Sequence, residues 1–179
     1  MKQKMDLKKY IRSIQDYPKK GILFRDITTL IKDKDAFANC IDRMSELLGE
    51  LNFDRIAAIE SRGFIFASPL AYNLSKSYIL LRKKDKLPAE KHSVDFELEY
   101  GKATLEIHKD SIRSKEKIII VDDLLATGGT AEAAAKLIEI SGGKVEGFVF
   151  VINLFDLGGK EKLEKKGYKT FSLMDFPGH

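Results

Sequence analysis

Hydrophobic and polar positions along this 179-residue chain fall into two periods that take turns. Between residues 35 and 51, Phe37, Ile41, Met44, Leu48 and Leu51 share one helical stripe, which predicts an amphipathic helix. Residues 55–59 read as a short strand, 64–74 as a helix and 78–81 as a second strand. Ile118, Ile119, Ile120 and Val121 form an apolar run without polar alternation, as expected of a strand buried on both faces in a parallel sheet. The alanines, leucine and paired charges of 131–140 favour helix, and Gly142 and Gly143 end it. Residues 148–155 read as another strand, 158–166 as a short charged helix and 169–173 as a last strand. The alternation predicts an α/β fold: an open, mostly parallel sheet flanked by helices, with ligands at the carboxyl ends of its strands.

Two stretches depart from this pattern. Leu7, Ile11 and Ile14 sit at helical spacing, so 5–14 is predicted to be a helix stopped by Pro18, an N-terminal arm packed on the body. Residues 17–31 then show no clear period despite their apolar content, which suits a buried loop or a binding wall. Phe24 stands out there: an aromatic face on a loop can stack on a planar ligand, although a lone phenylalanine is more often core. The second stretch, 82–102, opens with Arg82, Lys83, Lys84, Asp85 and Lys86 and again lacks a period. A loop of that length in a compact domain points to a flexible lid. His92 inside it reads as a surface histidine, because no partner for a general base is evident. Residues 103–108 alternate and predict a hairpin arm beside the lid.

Composition narrows the class. Hydrophobic residues at 44% and charged residues at 32% suit a soluble globular protein, read as a single domain over 1–179 without repeats or linkers. The net charge of +4 can favour an anionic ligand but is too small to argue for nucleic acid. Cys40 is the only cysteine, which excludes an intrachain disulfide and points to a reducing compartment. No stretch approaches the length of a membrane span, and the first residues carry alternating lysines instead of an apolar leader core. The expectation is a cytoplasmic protein with neither a nucleic-acid nor a membrane partner.

Chemistry concentrates in 118–130, I-I-I-V-D-D-L-L-A-T-G-G-T. A strand, a glycine-containing loop and a helix start make an anion site, because unpaired backbone N–H groups and the positive dipole end converge there. Thr127 and Thr130 add hydroxyl donors, while Gly128 and Gly129 let backbone approach a ligand closely. It is neither a Walker loop nor a dinucleotide fingerprint. Asp122 and Asp123 would point to opposite faces of a continuing strand, so the strand is expected to end at them and free both carboxylates for one ligand. Acceptors for vicinal hydroxyls beside donors for phosphate suit a sugar phosphate. Glu60, Ser61, Arg62 and Gly63 repeat the design after the strand 55–59, now with an arginine able to fork onto phosphate oxygens. Two anion cradles in one small domain suggest one ligand with two phosphate groups.

The 118–130 stretch closely resembles the phosphoribosyl-pyrophosphate (PRPP) signature of the type I phosphoribosyltransferases. Beyond it, P-K-K-G-I-L-F-R-D-I-T, E-S-R-G-F, R-K-K-D-K-L-P and L-E-Y-G are similar to the adenine phosphoribosyltransferase family over nearly the whole chain. The resemblance implies the type I phosphoribosyltransferase fold, with residues 1–33 as arm and base-binding hood. It also implies Mg²⁺-dependent conversion of adenine and PRPP to AMP and pyrophosphate in purine salvage, by an enzyme that is usually a homodimer. Carried over by position, Ala126, Thr127, Gly128, Gly129 and Thr130 would hold the 5-phosphate, and Asp122 and Asp123 the ribose. Glu60, Ser61, Arg62, Gly63, Arg82, Lys83 and Lys86 would surround pyrophosphate. Phe24 would stack on adenine while backbone groups of Leu23 and Arg25 bond its edge. Glu99 would handle the proton near N7 and act with Arg62 in catalysis, and Mg²⁺ would be held mainly by substrate oxygens. The resemblance further implies a cis peptide between Glu60 and Ser61. A regulator that binds PRPP without turnover would need a DNA-binding module, and no helix-turn-helix fits before residue 17. A transferase for hypoxanthine or xanthine is disfavoured by Phe24 and its neighbours.

Overall fold

The computed structural model describes residues 5–98 and 101–179. Leu7–Tyr10 form a 3-10 turn, followed by β1 (Arg12–Gln15) and β2 (Leu23–Asp26), which pair antiparallel with Ile14 opposite Phe24. Then come α1 (Thr28–Ile31), α2 (Lys34–Gly49), β3 (Arg55–Ile59), α3 (Arg62–Asn73) and β4 (Tyr78–Lys83). A hairpin, β5 (Lys91–Glu97) and β6 (Lys102–His108), precedes β7 (Lys117–Leu125), α4 (Gly129–Ile140), β8 (Lys144–Leu154), α5 (Gly159–Lys165) and β9 (Thr170–Phe176). The main sheet has seven strands in the order β5-β6-β4-β3-β7-β8-β9. From β4 to β9 all neighbours are parallel, and the hairpin adds two antiparallel strands at one edge.

Two apolar layers sandwich the sheet. Cys40, Met44 and Leu48 of α2 and Phe66 and Leu70 of α3 cover Ile56, Ile119 and Val121 on one face. Ala134, Leu137 and Ile138 of α4 cover Ile118, Ile120 and Phe148 on the other. Chain order places the site: β3 leads through α3 to one side of the sheet and β7 leads through α4 to the other. The crevice between their carboxyl ends is the topological switch point, where open α/β sheets bind ligands.

Three expectations from the sequence are corrected. Residues 5–14 are not a helix, because extended pairing with β2 wins over a short helix, and the connecting turn is closed by the Gly21 N–H donating to Asp16 Oδ1 at 2.7 Å. The segment 82–102, expected to lack a period, contains a strand among its described residues: β5 pairs with β6 from Lys91 opposite His108 to Glu97 opposite Lys102. The third concerns the aspartates. β7 does not end at Asp122 but runs through both acids to Leu125. What changes there is the phase of alternation. Ile119 and Val121 face the α3 layer and Ile118 and Ile120 the α4 layer, yet after the acids Leu124 packs with the α3 layer and Leu125 with the α4 layer. This inversion lets neighbouring aspartates line one cavity while the strand continues.

Candidate active site

A cavity of about 910 Å³ opens at the switch point. Its floor is the end of β7, where Asp122 and Asp123 lie side by side, and the loop that follows. Ala126, Thr127, Gly128, Gly129 and Thr130 all line it. Gly128 caps α4 with φ +85, a left-handed conformation that costs glycine little, and Gly129 and Thr130, the first residues of α4, line the cavity at the helix end that carries unpaired N–H groups. The loop is seated on α5: a Cβ on Gly159 would lie 2.2 Å from the Ala126 carbonyl oxygen.

The opposite wall follows β3. Glu60, Ser61 and Arg62 line the cavity, and the Glu60–Ser61 peptide is cis. Helix α3 begins at Arg62, two residues before the sequence period suggests, so its first turn belongs to the site. Gly63 does not line the cavity. It lets α3 touch β7, since a Cβ there would meet the Val121 oxygen at 2.8 Å. Arg62 Nε lies 2.9 Å from Asp123 Oδ2, tying the two walls. The N–H is not aligned for a hydrogen bond, so this buried Oδ2 keeps a charge contact and no hydrogen-bond partner.

The acid pair is electrostatically loaded. Burial, then repulsion from Asp123, pushes the Asp122 carboxyl well above the ordinary range. Burial also raises Asp123, against the pull of Arg62. Two such acids are costly without a ligand that satisfies them. Glu60 behaves differently: burial pulls its pKa up, but hydrogen bonds from Arg82 and from the Lys83 N–H at 2.9 Å outweigh it, and the pKa is lowered.

The basic segment that begins at the end of β4 divides. Lys83 lines the cavity with Lys84, which the sequence reading did not single out. Arg82 turns away, its Nε 3.2 Å from Glu60 Oε2 and its guanidinium donating to the Lys86 carbonyl, and the exposed Lys86 is not at the wall. The hairpin closes the third side with Phe96, Leu98, Lys102 and Thr104, and His92 is not among these residues. Glu99 lies outside the described residues, between Leu98 and Lys102. The alternation of Val94, Phe96 and Leu98 with polar residues was the available signal for β5. Leu23, Phe24 and Arg25 lie on β2, outside the cavity lining. Phe24 approaches it through Arg62, whose guanidinium carbon is 5.7 Å from the ring centroid, and Tyr17 meets the ring edge-on at 5.1 Å. Among the described residues, no group of three or more His, Cys, Asp or Glu side chains could hold a metal ion.

Comparison with known proteins agrees with this architecture. Residues 28–177 match the phosphoribosyl transferase domain. An adenine phosphoribosyltransferase of Pelagibacter ubique is 67% identical over 175 residues, spanning 98% of this chain and 100% of that relative. The chain belongs to the adenine phosphoribosyltransferase family. The crystal structure of the family member from Thermoanaerobacter pseudethanolicus superimposes with a TM-score of 0.92 at 48% identity, covering 97% of this chain and 100% of that one. A Saccharomyces cerevisiae adenine phosphoribosyltransferase, crystallised with adenine and an imino-altritol bisphosphate, has a TM-score of 0.86 at 35% identity, covering 94% and 96%. The general phosphoribosyl transferase match begins at Thr28, after the β1–β2 hood, whereas the likeness to adenine phosphoribosyltransferases extends over the hood as well. Membership makes the chain a pentosyl-transferring enzyme of purine salvage.

Proposed function

We propose that the protein transfers the phosphoribosyl group of PRPP to N9 of adenine, giving AMP and pyrophosphate. One observation carries this reading: two anion cradles, an acid pair and lysines from a third element line a single cavity beside an aromatic hood. The yeast relative crystallised with a bisphosphate and adenine supports the same combination. In this reading the α4 N-terminus and the two threonines take the 5-phosphate, and Asp122 and Asp123 accept from the ribose hydroxyls. Ser61 and Arg62 with Lys83 and Lys84 receive the departing pyrophosphate, whose charge grows as the C1–O bond breaks. The base rests on Phe24, and the hairpin keeps water from the ribosyl carbon.

Mg²⁺ belongs to the proposal. The donors fit a hard cation that takes most of its oxygens from substrate and water: two adjacent carboxylates, one with an unpartnered oxygen, and no complete protein cage among the described residues. Bound there beside Asp122 and Asp123, it would supply charge neutralisation for the leaving pyrophosphate. A cytoplasmic location is supported by Cys40, the single cysteine, which is buried as a free thiol. A homodimer is supported by an apolar patch on α3 and β4. Ile65 and Tyr72 share a helix face, Tyr72 is 86% exposed, and Tyr78 and Leu80 stand on the adjacent face of β4. A Ser68–Tyr78 hydroxyl contact at 3.0 Å joins the two elements. Ile65 lies one helical turn beyond Ser61 on α3, so a second copy would pack beside the pyrophosphate wall. Tyr72→Glu with Leu80→Lys should then convert a dimer to a monomer by sedimentation; an unchanged mass would remove the patch from the interface.

The activity test is an incubation with PRPP, Mg²⁺ and each purine base in turn. AMP from adenine is expected. Hypoxanthine should be poorer by about 10⁴-fold, since a base with the wrong hydrogen-bonding edge leaves buried groups unpaired. Comparable turnover of hypoxanthine would defeat the base assignment.

A further inference from the structure

The hood is held in place by something other than its own two short strands. β2 alternates, so Phe24 approaches the site while Arg25 turns into protein, 6% exposed. The Arg25 guanidinium donates to Ser13 Oγ of β1, and its Nη2 donates to the Pro177 carbonyl at 2.7 Å. It also lies over the Phe176 ring, 4.8 Å from the centroid. Residues 176–178 are pinned from their other side. The Phe155 N–H donates to the Phe176 carbonyl at 3.1 Å, the Gly178 N–H donates to Asp156 Oδ1 at 2.6 Å, and Gly178 packs so closely on Leu157 that a Cβ would fall 2.7 Å from it. The loop that does the pinning continues into Gly158 and Gly159, against which the phosphate loop is seated.

We propose that the Arg25 side chain is a positioning residue that anchors the base hood to residues 176–178, with Asp156 as the remote end of that anchor. Burying a cation disfavours its charge, and burial does lower the Arg25 pKa, with Asp156 opposing it. A cost of that kind is retained where the hydrogen bonds fix geometry. Here the one to Pro177 joins elements more than a hundred residues apart, which the bond to Ser13 on the paired strand β1 does not do. The consequence for turnover rests on the base-binding role of the hood proposed above: the Arg25 side chain lies outside the cavity lining and acts through the placement of Phe24.

The experiment uses the full chain and the variants Arg25→Met, Arg25→Lys and Asp156→Ala, read in two ways. Amide hydrogen exchange over β2 should quicken in Arg25→Met and Asp156→Ala and recover partly in Arg25→Lys. In steady-state kinetics the KM for adenine should rise about tenfold in Arg25→Met, the scale of a lost hydrogen bond to a charged group, while the KM for PRPP stays within about twofold. Combining Arg25→Met with Asp156→Ala should add little, because both cut one path. Unchanged exchange over β2 overturns the proposal, as does a rise in both KM values together, which would mark a merely structural role. Faster exchange with an unmoved KM for adenine would support the anchor and overturn the base-binding reading instead.

Discussion

The two sides of the cavity are built by opposite strategies. On the β7–α4 side, contiguous residues supply everything: a buried strand, two acids, a glycine-capped helix start and two hydroxyls, all within one short stretch. On the hood side the residues come from β2, the hairpin and the segment 176–178, and distant contacts such as Arg25 with Pro177 fix them. In the proposed reading the first side holds phosphate and ribose and the second the base; phosphate and ribose look the same in every phosphoribosyl transfer, so their cradle can be local and stiff. The base is what distinguishes one such enzyme from another, and its wall is assembled from parts that can vary separately.

The largest effect should come from disturbing the stiff side without touching its chemistry. Gly159→Ala places a methyl 2.2 Å from the Ala126 oxygen and must displace the phosphate loop. A shift of about 1 Å costs on the order of 10²-fold in catalysis, so kcat/KM for PRPP should fall by that much. Retention of activity would show that the loop adapts.

The acid pair should give a smaller effect with two signs. Asp122→Asn with Asp123→Asn should weaken PRPP use by about 10- to 100-fold, the worth of hydrogen bonds to charged groups. The free protein should become more stable at neutral pH, with the melting temperature rising about 2–4 °C for each kcal/mol of strain relieved. The sign follows from linkage. Both carboxyls have folded pKa values raised above their unfolded ones, so the folded state binds more protons, and this pair's contribution falls as pH climbs from the ordinary carboxylate range through the raised values. Melting scans of wild type and variant should therefore converge at acid pH and separate toward neutrality. Parallel curves would contradict the coupling.

On the hood side, Phe24→Ala should raise the KM for adenine about 5- to 100-fold, the range of one base–aromatic stack, and leave the KM for PRPP nearly unchanged. If both constants moved equally, the contrast between the two sides would fail.

That contrast also explains what could be read from sequence. The strand Arg55–Ile59 and the acid-to-threonine stretch were legible because burial on both faces and helix-start chemistry are encoded by neighbours. The hood was not. Leu7 and Ile11 are buried as a helical stripe would have them, yet the chain there is a 3-10 turn and a strand, since the deciding contacts come from β2. Strand β5 was not legible because its alternation, Val94 and Phe96 among polar residues, is short and follows a lysine-rich opening without a period. The seating of the phosphate loop on Gly159, some thirty residues on, left no local trace.

In the proposed reading one nucleotide bridges the two sides, and a crystal structure of the protein with AMP decides it. Expected are the phosphate within hydrogen-bond reach of the N–H groups at the start of α4 and of Thr127 and Thr130, the ribose hydroxyls at Asp122 and Asp123, and the base on the Phe24 ring. A phosphate seated instead at Ser61 and Arg62, or a base lying away from β2, would contradict it.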